Sequence, residues 1–187
     1  MKKDFFNRDP KVVAKDLLGK KLVHYENNGR IAGIIVETEA YYTKNDKASH
    51  SFTRPLAMKF FLEKPAGTAY VYFTYGNHWM LNVTAKGSTK GGAVLFRALE
   101  PIEGIEIMKV RRHIAEVKNL TNGPGKLAQA LGIDKIHHGM HFAEKRIFIE
   151  ETGMKPKIIA AIRIGITRDA HKKLRFYIKG NEFVSKK

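Results

Sequence analysis

The sequence predicts one mixed α+β domain built around an antiparallel sheet, and three observations carry that expectation. At 187 residues and 43% hydrophobic, with 7 Tyr, 11 Phe and 1 Trp, the chain has enough apolar surface for one core of its own. Its apolar runs are short and separated by turn dipeptides, so the middle of the chain reads as a meander. The regular alternation of strand and helix that marks a doubly wound protein is missing. No repeat, low-complexity tract or long linker divides it, so residues 1–187 are read as a single domain.

Asp9-Pro10 ahead of Val12, Val13, Leu17 and Leu18, with Gly19 behind them, gives a cap, a proline at the first helical position, an apolar stripe and a stop. Lys21 to Tyr25 and Arg30 to Tyr41 form an expected hairpin around the Asn27-Asn28-Gly29 turn, with a long second strand. Thr68 to Tyr75 and His78 to Thr84 form another around Gly76-Asn77, and Gly92 to Leu99 follows the glycine-rich Lys86 to Gly91 loop. Pro101 to Val117 has near-helical spacing of Ile102, Ile105, Met108 and Val117, and Gly125 to Leu131 reads as a short helix. Ile147 to Ile149, Ile158 to Ile166 and Leu174 to Ile178 supply the remaining strands.

The 34 Lys and Arg against 18 Asp and Glu give a net charge of +16. Residues 1–93 contribute +7 and residues 94–187 contribute +9, so the folded surface rather than a tail carries the positive field. A polyanion such as nucleic acid is the simplest partner, against a surface that serves only solubility. Without cysteine there is no disulfide, thiolate nucleophile or cysteine-bound zinc. No apolar run reaches the roughly 20 residues of a membrane span, and the polar start argues against a signal peptide, so a soluble cytoplasmic protein is expected.

Alternation along Ile34 to Tyr41 sets Glu37, Glu39 and Tyr41 on one face and Ile34, Val36, Thr38 and Ala40 on the other. Glutamate is disfavoured in strands, so two on one face of a cationic protein suggest a general base or a metal ligand. A solvated strand face bridged to lysines is the alternative. Tyr75 falls at the hairpin tip, where an aromatic ring serves as a wedge between stacked bases or packs locally on Trp79 or His78. Asn122 to Leu127 opens a helix with glycines and Lys126, a seat for one phosphate or a plain helix start. His137-His138-Gly139-Met140-His141 lacks metal-ligand spacing and reads as exposed loop.

Taken in order, Val36-Glu37-Thr38-Glu39-Ala40-Tyr41, His50-Ser51, Tyr70-Val71-Tyr72 through Tyr75-Gly76, Leu81-Asn82-Val83 and Leu95 to Pro101 resemble the alkyladenine (3-methyladenine) DNA glycosylase family. Gly123 to Leu127, Arg163-Ile164-Gly165 and Leu174 to Tyr177 extend the resemblance over nearly the whole chain. It implies a curved antiparallel sheet with flanking helices and a protruding hairpin that inserts into DNA. It implies a monofunctional enzyme that flips a damaged purine from double-stranded DNA and hydrolyses its N-glycosidic bond, leaving an abasic site. Expected bases are 3-methyladenine and 7-methylguanine, with hypoxanthine and ethenoadenine as neutral candidates.

By the same resemblance, Glu39 matches the position that activates water, and Arg97 the arginine that helps hold it and would lower the Glu39 pKa. Tyr41, His50 and Tyr72 match the enclosure of the flipped base, where electron-rich rings favour a cationic purine by about 1–2 kcal/mol. Asn82 matches the residue against the purine edge, Tyr75 the intercalating tyrosine, and Asn77, Lys126 and Arg54 are expected at the DNA. Neither metal nor organic cofactor is expected, and the protein is expected to act as a nucleoid-associated monomer. The sequence departs from the pattern after His50-Ser51, where only Phe52-Thr53-Arg54-Pro55-Leu56 stands in place of a longer segment. The alternative functions are a non-catalytic lesion- or nucleic-acid-binding homologue and a metal-dependent hydrolase using Glu37, Glu39 and the histidines.

Overall fold

The computed structural model describes residues 3–26, 29–74, 76–87, 91–144 and 146–186. Among these residues the chain forms eight strands and five α-helices, a mixed α+β fold with a curved, unclosed antiparallel sheet. Helix α1 (Pro10–Leu17) starts where expected: Asp9 Oδ1 accepts from the Lys11 amide at 2.8 Å, and Pro10 occupies the first turn. Val13, Ala14 and Leu17 turn inward, and Gly19 at φ +83° lets the chain fold back so that its amide donates to Ile35 O.

Strand β2 (Gly29–Tyr42) is the axis of the sheet. One edge pairs along its length with β5 (Gly91–Glu103); the other pairs first with β1 (Lys21–Glu26) and then, over Glu37–Glu39, with β8 (Arg175–Ile178). Strands β3 (Ala69–Thr74) and β4 (His78–Lys86) extend the sheet beyond β5, β6 (Ile147–Glu150) borders β1, and β7 (Ile158–Ala161) borders β8. With neighbours on both edges and covering layers above and below, β2 is buried from Ile31 to Ala40. On one face Thr38 Oγ1 donates to Ala14 O of α1 at 2.8 Å, which fixes that helix over the strand.

Three irregularities break the β2–β5 ladder, one between Ala32 and Gly33 and two beside the carboxylates. The register passes from Ile35↔Leu99 to Glu37↔Ala98, which skips Val36, and then to Thr38↔Phe96, which skips Arg97. A bulge twists the strand locally and re-aims side chains, and here it does so beside both carboxylates.

Helix α5 (Pro124–Leu131) packs on β4 and β5 and carries α4 (Ile105–Arg112) on its outer side. A Cβ on Gly125 would stand 2.8 Å from the His78 ring, so the missing side chain lets α5 approach the start of β4. The core gathers Leu17, Leu22, Ile35, Leu81, Phe96, Leu99, Leu127, Phe142 and Phe176.

Three expectations change. The helix expected over Pro101 to Val117 is only Ile105–Arg112: β5 continues through Glu103 because β2 is long enough to pair Gly33 with Pro101 and Ala32 with Glu103. Gly104 at φ +70° then turns the chain into α4, and His113 at φ +51° ends it. The strand expected over Ile158 to Ile166 stops at Ala161, after which the backbone leaves the sheet toward Glu39. Two short helices, α2 (His50–Thr53) and α3 (Pro55–Glu63), fill the segment after the long strand, where no element is expected from the sequence.

Candidate active site

Among the described residues, the buried side chains of formal charge are Glu37, Glu39, Asp46, Arg97, Arg163 and Arg175, and all belong to one connected region. Buried charge is costly unless paired, so its confinement to one place marks where the fold tolerates that cost. Three carboxylates face three guanidinium groups, which keeps the region near neutrality.

Glu39 is fully buried between Leu95 of β5 and Arg175 of β8 in the ladder. Its Oε1 accepts from the Ile164 amide at 2.8 Å, and its Oε2 accepts from the Tyr41 hydroxyl at 2.7 Å. Arg97 Nη1 lies 3.4 Å from Oε1. Burial pushes the Glu39 carboxyl above the ordinary carboxylate range, against the pull of the Arg97 cation, the Ile164 amide and the Tyr41 hydroxyl. The expected lowering by Arg97 is therefore present but outweighed. A carboxylate held in this way is a stronger proton acceptor than one in water.

Glu37 makes different contacts. Arg175 Nη1 donates to its Oε1 at 2.8 Å, the Ser185 amide donates to Oε2 at 2.8 Å, and Arg97 Nε stands 3.4 Å from Oε1. The two glutamates do share a face, since one arginine reaches both, but that face is buried rather than solvated, and among the described residues no lysine bridges it.

Beside Glu39 opens a cavity of about 340 Å³ lined by Tyr41, His50, Tyr72, Asn82, Arg97 and the Ile164–Ile166 segment. The size lies within the range of small-ligand sites. The rings of His50 and Tyr72 are 4.2 Å apart at centroid, and His50 Nδ1 lies 3.2 Å from the Tyr70 hydroxyl. Burial and the nearby Arg54 cation push His50 down to about 4, so its imidazole is neutral at pH 7. Asn82 Nδ2 donates to Tyr70 O at 3.0 Å, which fixes the amide. Behind the wall, Arg163 forms a two-pronged pair with Asp46 at 2.7 Å on each arm and lies 4.5 Å over the Tyr41 ring. That pair ties the loop after β2 to the segment that carries the Ile164 amide.

The sequence matches the family described as methylpurine-DNA glycosylase over residues 4–182. The chain belongs to the methylpurine-DNA glycosylase family. A protein of Clostridium acetobutylicum is 44% identical over 196 residues, covering 98% of this chain and 96% of its own length. One from Clostridium perfringens is 44% identical over 202 residues with 99% and 98% coverage, and one from Koribacter versatilis is 41% identical over 189 residues with 98% and 91%. Each carries the provisional name of a 3-methyladenine DNA glycosylase. Membership makes this a DNA-repair glycosylase, with DNA as its substrate.

In this glycosylase the described residues expected to meet DNA, Arg54, Asn77 and Lys126, are not part of the buried cluster. Arg54 is exposed between α2 and α3, and Asn77 is exposed at the turn between β3 and β4. Lys126 lies in the first turn of α5, its Nζ donating to Asn122 Oδ1 at 2.7 Å. Tyr75, the expected wedge, lies outside the described residues, while Phe73 and Trp79 of the flanking strands pack at 4.9 Å. The histidine run is not simply exposed loop: His137 is buried, and His138 Nδ1 accepts from the Val71 amide at 3.1 Å. No group of three or more His, Asp or Glu among the described residues is placed to hold a metal ion. Nor is any described helix long and apolar enough to cross a membrane. Sequence reasoning missed Asp46, the Ile164 amide as a donor to Glu39, and Ser185; a buried Asp in a polar loop and a tail serine carry no local signal.

Proposed function

We propose that this glycosylase is a monofunctional hydrolase in which Glu39 activates a water for attack on C1′ of a damaged purine nucleotide. The observation that carries the reading is the buried Glu39 carboxylate, raised in basicity and gripped by three donors beside an aromatic-lined cavity. The bond from C1′ to the base nitrogen breaks, its electron pair leaves with the base, the water oxygen bonds C1′, and the water proton passes to Glu39. Arg97 helps hold that water.

Tyr41, His50 and Tyr72 enclose the flipped base, and their rings favour a purine made cationic by methylation. Neutral His50 avoids placing a second cation against it. Asn82 faces the purine edge and disfavours the exocyclic amine of guanine. The substrate class is therefore cationic purines in duplex DNA, 3-methyladenine ahead of 7-methylguanine, whose exocyclic amine meets Asn82, with hypoxanthine and ethenoadenine as slower, neutral substrates. Tyr75 fills the space left by the flipped nucleotide, and Arg54, Asn77 and Lys126 meet the DNA. The protein acts as a single-domain monomer in the cytoplasm, at the nucleoid.

The test is base release from duplexes bearing each of these lesions, with EDTA present and alkali to cleave abasic sites, comparing the parent with Glu39→Gln. Release by the parent and loss in the variant is the expected result. Tight binding without release of any base would replace this reading with a non-catalytic lesion-binding protein.

A further inference from the structure

The family match ends at residue 182, yet the chain past that point returns to the buried charges. Val184 is buried, the Ser185 amide donates to Glu37 Oε2 at 2.8 Å, and Lys186 O accepts from Arg175 Nη1 at 2.8 Å. The Ser185 hydroxyl also stands 3.4 Å from Arg97 Nη2. Glu37 in turn accepts from Arg175 and lies beside Arg97 Nε, an atom that is buried and lacks a hydrogen bond of good geometry.

Arg97 is skipped in the β2–β5 register, so neighbouring side chains must set its direction. The contacts that set it are Glu39 on one side and Glu37 with Ser185 on the other. We propose that the Val184–Lys186 segment is a strap that fixes Glu37, and that Glu37 and Ser185 are positioning residues which aim Arg97 at Glu39. The proposal rests on the reading of Glu39 as the base. It adds that the geometry of that base depends on the Val184–Lys186 segment.

The charged and titratable groups around Glu39 come from four directions: Glu37 and Tyr41 of β2, Arg97 of β5, Arg175 of β8, and Arg163 of the segment after β7. Loss of the strap loosens Arg97 without removing any of these charges. The Glu39 carboxyl is then less well compensated, and its titration moves upward.

The experiment has two parts. In the unaltered protein, amide hydrogen exchange at Ser185 is expected to be slowed well below the free-chain rate; exchange at the free-chain rate overturns the proposal. In Ser185→Pro, which removes the amide, single-turnover release of 3-methyladenine or 7-methylguanine is expected to slow about tenfold or more with unchanged affinity for the duplex. The Glu39 carboxyl titration, followed by carbon NMR in the free protein, is expected to rise. Ser185→Ala keeps the amide and loses only the 3.4 Å hydroxyl contact to Arg97, so it is expected to lose much less rate than Ser185→Pro. A parental rate and titration in Ser185→Pro, or an equal loss in Ser185→Ala, overturns the proposal. A rise in the Glu39 titration in a protein that releases no base would uphold the strap and reject the glycosylase role of Glu39.

Discussion

The Tyr41 hydroxyl donates to Glu39 Oε2 at 2.7 Å from two residues further along the same strand. Alternation along β2 puts both side chains on one face, so the strand itself sets the contact. Burial and the Glu39 charge push the Tyr41 phenol well above its usual range, which keeps it a donor at every working pH.

Tyr41→Phe removes that donor and leaves the ring over which Arg163 lies. A hydrogen bond to a charged group contributes about 1.5–3 kcal/mol, so single-turnover base release should fall by about tenfold or more. The Tyr41 contact lowers the Glu39 pKa, so its loss should move the acid limb of the pH–rate profile to higher pH. Rate measurements from pH 5 to 8 (a range of about three units around Glu and His titration) check both outcomes.

Asp46→Ala leaves Arg163 charged, buried and without its two-pronged partner. Removing one member of a buried ion pair costs about 3–5 kcal/mol, which urea unfolding should register directly. Activity should fall as well in the fraction that stays folded, because the same pair holds the Ile164 segment against Glu39.

Acid should destabilise the fold through its buried histidines. His24 Nδ1 lies 2.7 Å from Leu131 O, the Nε2 atoms of His24 and His137 are 3.0 Å apart, and His137 Nδ1 accepts from the Asp134 amide at 3.1 Å. One neutral assignment satisfies these three contacts: His24 donates to Leu131, and His137 donates to His24. Burial lowers both pKa values, and His50 is pushed down to about 4. A lowered folded pKa means that the unfolded chain takes up protons first, so this contribution is full above pH 6.5 and is lost as pH falls below it, toward about 4 for His50. Urea unfolding at pH 7.5 and at pH 5 should show it, and His24→Asn with His137→Asn should flatten the dependence. Equal stability of the parent at both pH values would refute the linkage.

Binding to duplex DNA should weaken steeply with salt, as the net charge of +16 implies. Arg54→Ala and Lys126→Ala should each reduce the slope of log K against log salt by about 1, with little change in lesion preference. Fluorescence anisotropy at several salt concentrations tests this; an unchanged slope in either variant removes that residue from the phosphate contacts.

Much of the fold was legible because its signals are local. Asp9, Pro10 and Gly19 announce both ends of α1, and alternation with turn residues announces β1 to β5. What the sequence concealed depends on distant partners. Pro101 to Glu103 have helical spacing toward α4, yet they pair with β2 because that strand is long enough to recruit them. Ile162 to Ile166 look like strand, yet an amide there is needed by a carboxylate far away in sequence. The cavity residues Tyr41, His50, Tyr72, Asn82 and Arg97 belong together in the sequence by resemblance alone, since no spacing rule links positions 41 and 97. Glu37 could not be separated from Glu39 by pattern, because they differ only in what other segments bring to them.

The balance of buried carboxylates and guanidinium groups restricts how this protein can drift. A mutation that alters one of these charges strands its neighbour, so most single steps away from the present set pass through a poorly folded intermediate. Change at these positions is then expected to come as paired exchanges or not at all. The exposed stretch of residues 52–56, where α2 passes into α3, carries no such debt, and a change of length there is expected to cost the fold less.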